Sequence, residues 1–230
     1  MSALAFLSTG PDALARSPME REARAAGARI ERRGGWNVAV AFDGGEAERV
    51  RSSVGFVDHS HLGKIELQGR AEDLQSVVSL EPGKATRADG AWWCPYTPER
   101  AIVVCEAAAA GDLRERLSAS GALSVMDVTA VYAALTLVGP QARELFARFT
   151  AIDLRDPITP VRGFRPGSVG RVPGAILREG EERWLMLFGA ALGRYMWTVV
   201  GDAARNLGGG PVGTEALDPV DEPLEAAPRA

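Results

Sequence analysis

Two histidines are all the sequence has, and both fall in one run, Asp58-His59-Ser60-His61, followed by Leu62-Gly63-Lys64. If the run is a strand, His59 and His61 share one face and Asp58 and Ser60 the other. A metal centre needs a third ligand that this spacing does not supply, so none is expected. A Ser–His–Asp nucleophile is not indicated either, because no G-x-S-x-G elbow occurs in the chain. The plainer reading is that Ser60 and His61 hold a turn by hydrogen bonds. Trp92-Trp93-Cys94-Pro95-Tyr96 can stack on a flat ring or form a core edge or subunit contact. Gly208-Gly209-Gly210 follows a helix instead of opening one, so it cannot aim amides at a phosphate. Cys94 and Cys105 form no CxxC pair and indicate neither zinc nor a disulfide, which fits a reducing cytoplasm.

These residues need elements to position them. Ser17-Pro18-Met19-Glu20 reads as a helix start with a Ser cap, running to about Gly27. Trp36 to Phe42 alternates as a strand with one buried face, and Glu46 to Val54 reads as a short helix. Strand Lys64–Gln68, helix Ala71–Val78, strand Ala101–Cys105 and helix Asp112–Ser120 follow. A second cycle has strand Tyr132–Val138 and helix Pro140–Phe149. Strands near Ser168–Val172, Ala175–Arg178 and Arg183–Phe188 come next, then a helix from Leu192 to Leu207 stopped by the glycines. Ile65-Glu66-Leu67-Gln68-Gly69 and Leu135-Thr136-Leu137-Val138-Gly139 share an apolar-x-Leu-x-Gly ending 70 residues apart. Two related α+β lobes packed together explain that echo.

Composition narrows the function class. The 230 residues are 46% hydrophobic and 24% charged, an ordinary globular balance. Net charge is −4, from 26 basic and 30 acidic residues, so no basic excess is present to hold a nucleic acid. No apolar stretch is long enough to cross a membrane. Met1 to Thr9 lacks the basic start of a signal peptide, so a cytoplasmic protein is expected.

The run Val57-Asp58-His59-Ser60-His61-Leu62-Gly63-Lys64-Ile65-Glu66-Leu67-Gln68-Gly69 resembles the D-x-S-H-(M/L)-G-x-(I/L)-E-(L/V)-x-G segment of the glycine-cleavage T-protein superfamily. Ala134-Leu135-Thr136-Leu137-Val138-Gly139-Pro140-Gln141-Ala142 is similar to that family's A-L-x-L-x-G-P-x-A, and Pro211-Val212-Gly213 is a third match. These are tetrahydrofolate-dependent aminomethyltransferases and their folate-binding relatives. The resemblance implies an α+β fold of two pseudo-repeated lobes around a central channel, without the C-terminal barrel of T-proteins. The three segments cover about Gly35 to Leu217, so the expected division is an N-terminal helix and arm (1–34), the two lobes (about 35–120 and 121–217) and, from its Pro-rich acidic composition, a mobile tail (218–230).

Within the superfamily the chain looks most like the gamma subunit of heterotetrameric sarcosine oxidase. That implies an assisting role beside larger flavin-bearing subunits, with tetrahydrofolate as the one-carbon acceptor. The alternative is a stand-alone tetrahydrofolate-dependent one-carbon transferase. Asp58, His61 and Asp89 are the candidates for catalysis, and Ser60, His61, Leu62, Gly180 and Glu181 for lining the folate channel. The family's paired aspartates between the two motifs are missing, leaving Asp89 as the remnant. Its G-Y-T-G-E-D-G-x-E segment is reduced here to Gly180-Glu181. Trp92, Trp93 and Arg178 are candidates to plug the channel.

Overall fold

The computed structural model describes residues 14–119 and 121–217. The expected tail at 218–230 and the apolar start at Met1–Thr9 therefore lie outside the described residues.

The chain opens with β1 (Ala15–Arg16), α1 (Glu20–Ala25), β2 (Arg29–Arg33), β3 (Trp36–Ala41) and α2 (Glu46–Ser52). The three strands form a small sheet with β3 in the middle. Val38, Ala39 and Val40 are all buried, so the expected one-sided alternation fails. Helix α1 starts later than expected, at Glu20, with Met19 at the cap position. The Ser17 hydroxyl accepts from the Met19 amide at 3.0 Å and also donates to the Asp58 carboxylate. Ser17, the expected cap, is thus tied to a distant strand.

Two cycles of like order follow. The first is β4 (Gly55–Asp58), β5 (Gly63–Gln68), α3 (Ala71–Val77), β6 (Thr86–Ala88), β7 (Ala91–Thr97), β8 (Arg100–Cys105) and α4 (Ala110–Ser118). The second is β9 (Ser124–Asp127), β10 (Tyr132–Val138), α5 (Ala142–Ala147), β11 (Phe164–Val169), β12 (Val172–Arg178), β13 (Arg183–Gly189) and α6 (Gly193–Arg205). Strand β14 (Gly210–Pro211) ends the series. The strand expected near Ser168–Val172 is instead the β11–β12 turn, where Gly170 and Arg171 both take positive φ. That conformation matches the twist of a two-residue hairpin.

The two sheets exchange their first strands. One sheet runs β6-β7-β8-β5-β9 and the other β11-β12-β13-β10-β4-β14. Strand β9 of the second cycle thus pairs with β5 of the first, and β4 of the first pairs with β10 of the second.

Alternation along the strands builds four layers. Ile65, Leu67, Ala101 and Val103 pack outward against Leu74 of α3 and Leu113 and Leu117 of α4. Leu135, Leu137, Trp184 and Met186 do the same against Leu145 and Phe146 of α5 and Met196 and Val200 of α6. Between the sheets, Cys94, Ile102 and Val104 meet Ala134, Phe164, Leu185 and Leu187. Each large apolar side chain buried this way contributes about 1.5–3 kcal/mol. The echo glycine of the second cycle has a backbone reason: Gly139 has φ of 117°, and a Cβ there would stand 2.6 Å from the Ser53 carbonyl oxygen.

Candidate functional site

The motif residues form the turn that carries β4 into β5, and the corresponding β9–β10 turn locks into it. Asp58 accepts from the Ser60 amide at 3.0 Å, and Asp127 accepts from the Thr129 amide at 2.9 Å. The Ser60 hydroxyl then accepts from the Ala134 amide at 3.2 Å, and the Thr129 hydroxyl from the Lys64 amide at 3.0 Å. Backbone bonds complete the pattern, His59 amide to Ala134 carbonyl at 3.0 Å and Val128 amide to Lys64 carbonyl at 2.9 Å. Each repeat's Asp-x-Ser/Thr turn therefore satisfies the first residues of the other repeat's central strand. Such buried backbone groups must find partners, and here the side chains of the turns provide them.

The side chains break this symmetry. Lys64 is fully buried, and its ammonium donates to the carbonyls of Ser60 and Leu62 at 2.8 Å each and of Thr129 at 3.3 Å. Burial lowers its pKa to about 8, against the opposing pull of Asp58, Asp127 and Cys105. Ala134 takes the matching place in the second repeat. His59 Nδ1 lies 2.7 Å from the Thr136 hydroxyl, and burial holds this imidazole well below the usual histidine range. His61 stacks edge-on against it at 5.6 Å, and burial followed by the Lys64 charge lowers it to about 4. Burial raises Asp58, an effect opposed by its Ser17 and Ser60 hydrogen bonds and by Lys64. At neutral pH both imidazoles are uncharged, so the turn is a rigid scaffold with one buried cation.

The expected site residues separate in space. Asp58 continues the face of Phe56, which packs into the helix-side core, and its carboxylate meets Ser17 of the N-terminal arm. Ser60, with Thr129, Trp36 and Tyr132, lines a cavity of about 200 Å³. Leu62 packs at the edge of the inter-sheet layer. Asp89 is exposed, at the tip of the β6–β7 hairpin with a positive φ of 51°. Gly180 and Glu181 lie in the β12–β13 turn, where Glu181 reaches back to Arg178 at 2.6 Å. That turn adjoins Val138, while the histidine turn holds Ala134, so the two groups sit at different levels of β10. Of the residues expected to plug the channel, Trp93 lies in the helix-side core and Arg178 stacks on Trp184 at 5.0 Å. Only Trp92 borders the inter-sheet layer.

Sequence reasoning passed over a polar group on the inner face of β5 and β8. Glu66 is buried and bound by Arg100 at 2.6 Å and Gln68 at 2.5 Å. Burial pushes its carboxyl up, but these bonds hold it below the ordinary value. The Arg100 guanidinium lies 5.0 Å above Tyr96, whose ring meets Phe164 of the other sheet edge-on at 5.2 Å. Arg100 Nε is buried with no hydrogen-bond partner. One sequence signal pointed to the interlock: extending the echo upstream aligns Asp58-x-Ser60 with Asp127-x-Thr129, 69 residues apart.

Comparison with known proteins agrees with this architecture. The aminomethyltransferase of Moorella thermoacetica is 30% identical over 93% of this chain and 64% of its own length. That of Desulforamulus reducens is 28% identical over 89% of this chain and 62% of its own. The chain thus spans less than two thirds of these curated relatives. Among solved structures, the aminomethyltransferase T of the Bartonella henselae glycine cleavage system superposes with a TM-score of 0.74 at 19% identity. That superposition covers 89% of this chain and 61% of that one. A chain of heterotetrameric sarcosine oxidase from Corynebacterium sp. U-96 superposes with a TM-score of 0.66 at 18% identity. It covers 84% of this chain and 96% of that one. Both likenesses establish the shared fold. The GCVT N-terminal domain model matches residues 86–220, more than half of the sequence, and the chain belongs to that family, within the T-protein superfamily.

Proposed function

We propose that the chain is a gamma-like subunit of a sarcosine oxidase-type complex, assisting oxidative demethylation of N-methyl amino acids coupled to tetrahydrofolate. In this reading flavin is carried by larger partner subunits and the assembly works in the cytoplasm. The observation that carries it is the commitment of the motif side chains: Asp58, His59, Ser60 and Lys64 are all engaged in holding the interlocked turns. The likeness to the Corynebacterium chain supports the same reading. Removing the chain from such a complex should weaken its assembly more than it changes flavin chemistry on the isolated partners. Full activity and intact assembly without it would refute the proposal.

The inter-sheet layer fits a pterin-type ligand in one respect. Glu66 offers a carboxylate held ionised, Arg100 Nε lacks a partner, and Tyr96 and Trp92 border the layer with ring surface. These residues would hold tetrahydrofolate, which when bound supplies the nitrogen that accepts the one-carbon unit. The same observation favours the second reading, a stand-alone tetrahydrofolate-dependent transferase whose acidic group has moved to Glu66. Titrating the isolated chain with tetrahydrofolate, followed by tryptophan quenching, discriminates the two. Saturable binding that Glu66→Gln weakens at least about tenfold supports the second reading. No saturable quenching removes it.

A further inference from the structure

A second cleft lies outside the inter-sheet layer, where α6 meets the loop from β3 to α2 and the strand β14. Its volume is about 440 Å³, within the usual range of small-molecule sites. Its floor is aromatic. Trp197 lies 5.0 Å from Phe56 in an edge-on arrangement and 6.3 Å from Phe42. Gly201 of α6 and the Gly209-Gly210-Pro211 segment also line it, leaving part of the wall without side chains.

The rim carries two arginines, each with an acidic neighbour. Arg49 is three-quarters buried and is held by Asp43 at 2.6 Å and the Pro211 carbonyl at 3.3 Å. Both contacts fix the guanidinium while leaving other N–H donors on the same group. Arg205 pairs with Asp202 at the exposed side. The glycine amides are already spent, Gly208 on Arg205, Gly209 on Ala204 and Gly210 on Val54, at 3.1, 2.9 and 3.2 Å. No backbone nest therefore exists for a phosphate, and Asp43 and Asp202 would repel a multiply charged anion. A single carboxylate can share the arginines with them, while a flat ring covers Trp197.

We infer that this cleft binds a small planar aromatic carboxylate, with the ring on Trp197 and the carboxylate on Arg49. The site is independent of the proposed function above, since it shares no residue with the inter-sheet layer.

The test uses the full chain with indole-labelled tryptophan and benzoate as the probe, read by NMR. Trp197→Phe identifies which of the five indole signals belongs to the cleft. Benzoate should shift that signal saturably, and benzyl alcohol, which lacks the charge, should bind at least about tenfold more weakly. Arg49→Met should cost a similar factor. Thr198→Phe, a substitution at an exposed lining position, should block the cleft and abolish the shift without touching the rim. A linear or absent response, a shift in another indole, or equal binding of benzyl alcohol would overturn the inference.

Discussion

The two repeats use one backbone device and spend their side chains differently on it. In the second, Asp127-Val128-Thr129 makes its turn near the surface, with Asp127 half exposed and 3.9 Å from Arg114. In the first, Asp58-His59-Ser60 is buried throughout, and a lysine and two histidines occupy places that hold Ala134, Val128 and Ala130 in its counterpart. The backbone bonds need only the Asp and Ser/Thr pattern that both repeats keep. The added charge and imidazoles raise the cost of burial and are the part of the turn that folding alone does not require.

The largest difference between the repeats is expected at the echo glycines. Gly139→Ala places a Cβ against backbone carbonyls at a left-handed φ, and should cost about 3–4 kcal/mol. Gly69→Ala meets the Leu123 side chain at 2.5 Å instead, which can move, and should cost about 1–2 kcal/mol. Thermal melting of the two variants measures the difference.

Lys64 gives the next largest effect. Its folded value of about 8 lies below the ordinary 10.5, so between those values the unfolded chain binds more protons. Stability should therefore rise from pH 8 to 10.5 by up to about 3 kcal/mol, and Lys64→Met should abolish the rise in denaturant melts. A smaller loss, about 1–3 kcal/mol, is expected for Ser60→Ala, which leaves the buried Ala134 amide unpaired. Thr129→Ala, at the half-buried counterpart, should cost less in the same assay.

The smallest effect lies on the acid side. His61 titrates near 4 when folded and near 6.5 otherwise, so stability should fall as pH drops from 6.5 to 4. Allowing for partial exposure, the loss is about 1–2 kcal/mol, and His61→Gln should flatten it. Ala130→Gln, the matching change in the second repeat, should leave the acid limb unaltered.

Much of this was legible in the chain itself. Strands β5, β8, β10 and β13 lie within a residue of their expected bounds, because short apolar runs between turn residues mark strands buried on both faces. The echo ending at Gly69 and Gly139 announced the duplication. Strand exchange was not legible: β4 and β9 are short, and nothing local says that each pairs with the other repeat. Ser17 read as a helix cap because its hydrogen bond to Asp58 spans 41 positions in sequence. Asp89 drew notice as an acid remnant, but Asp89-Gly90 is a hairpin tip, where both residues take positive φ. Nothing local to strand Lys64–Gln68 marks Lys64 and Glu66 as buried, and the packing of one sheet on the other buries them.

We propose that this chain acts within a larger flavin-bearing assembly. Gentle purification of the tagged full chain from its native host, with flavin absorbance read on the product, tests it most directly. A yellow complex containing larger chains is the predicted result. A colourless chain that purifies alone, and binds tetrahydrofolate unaided, would contradict it.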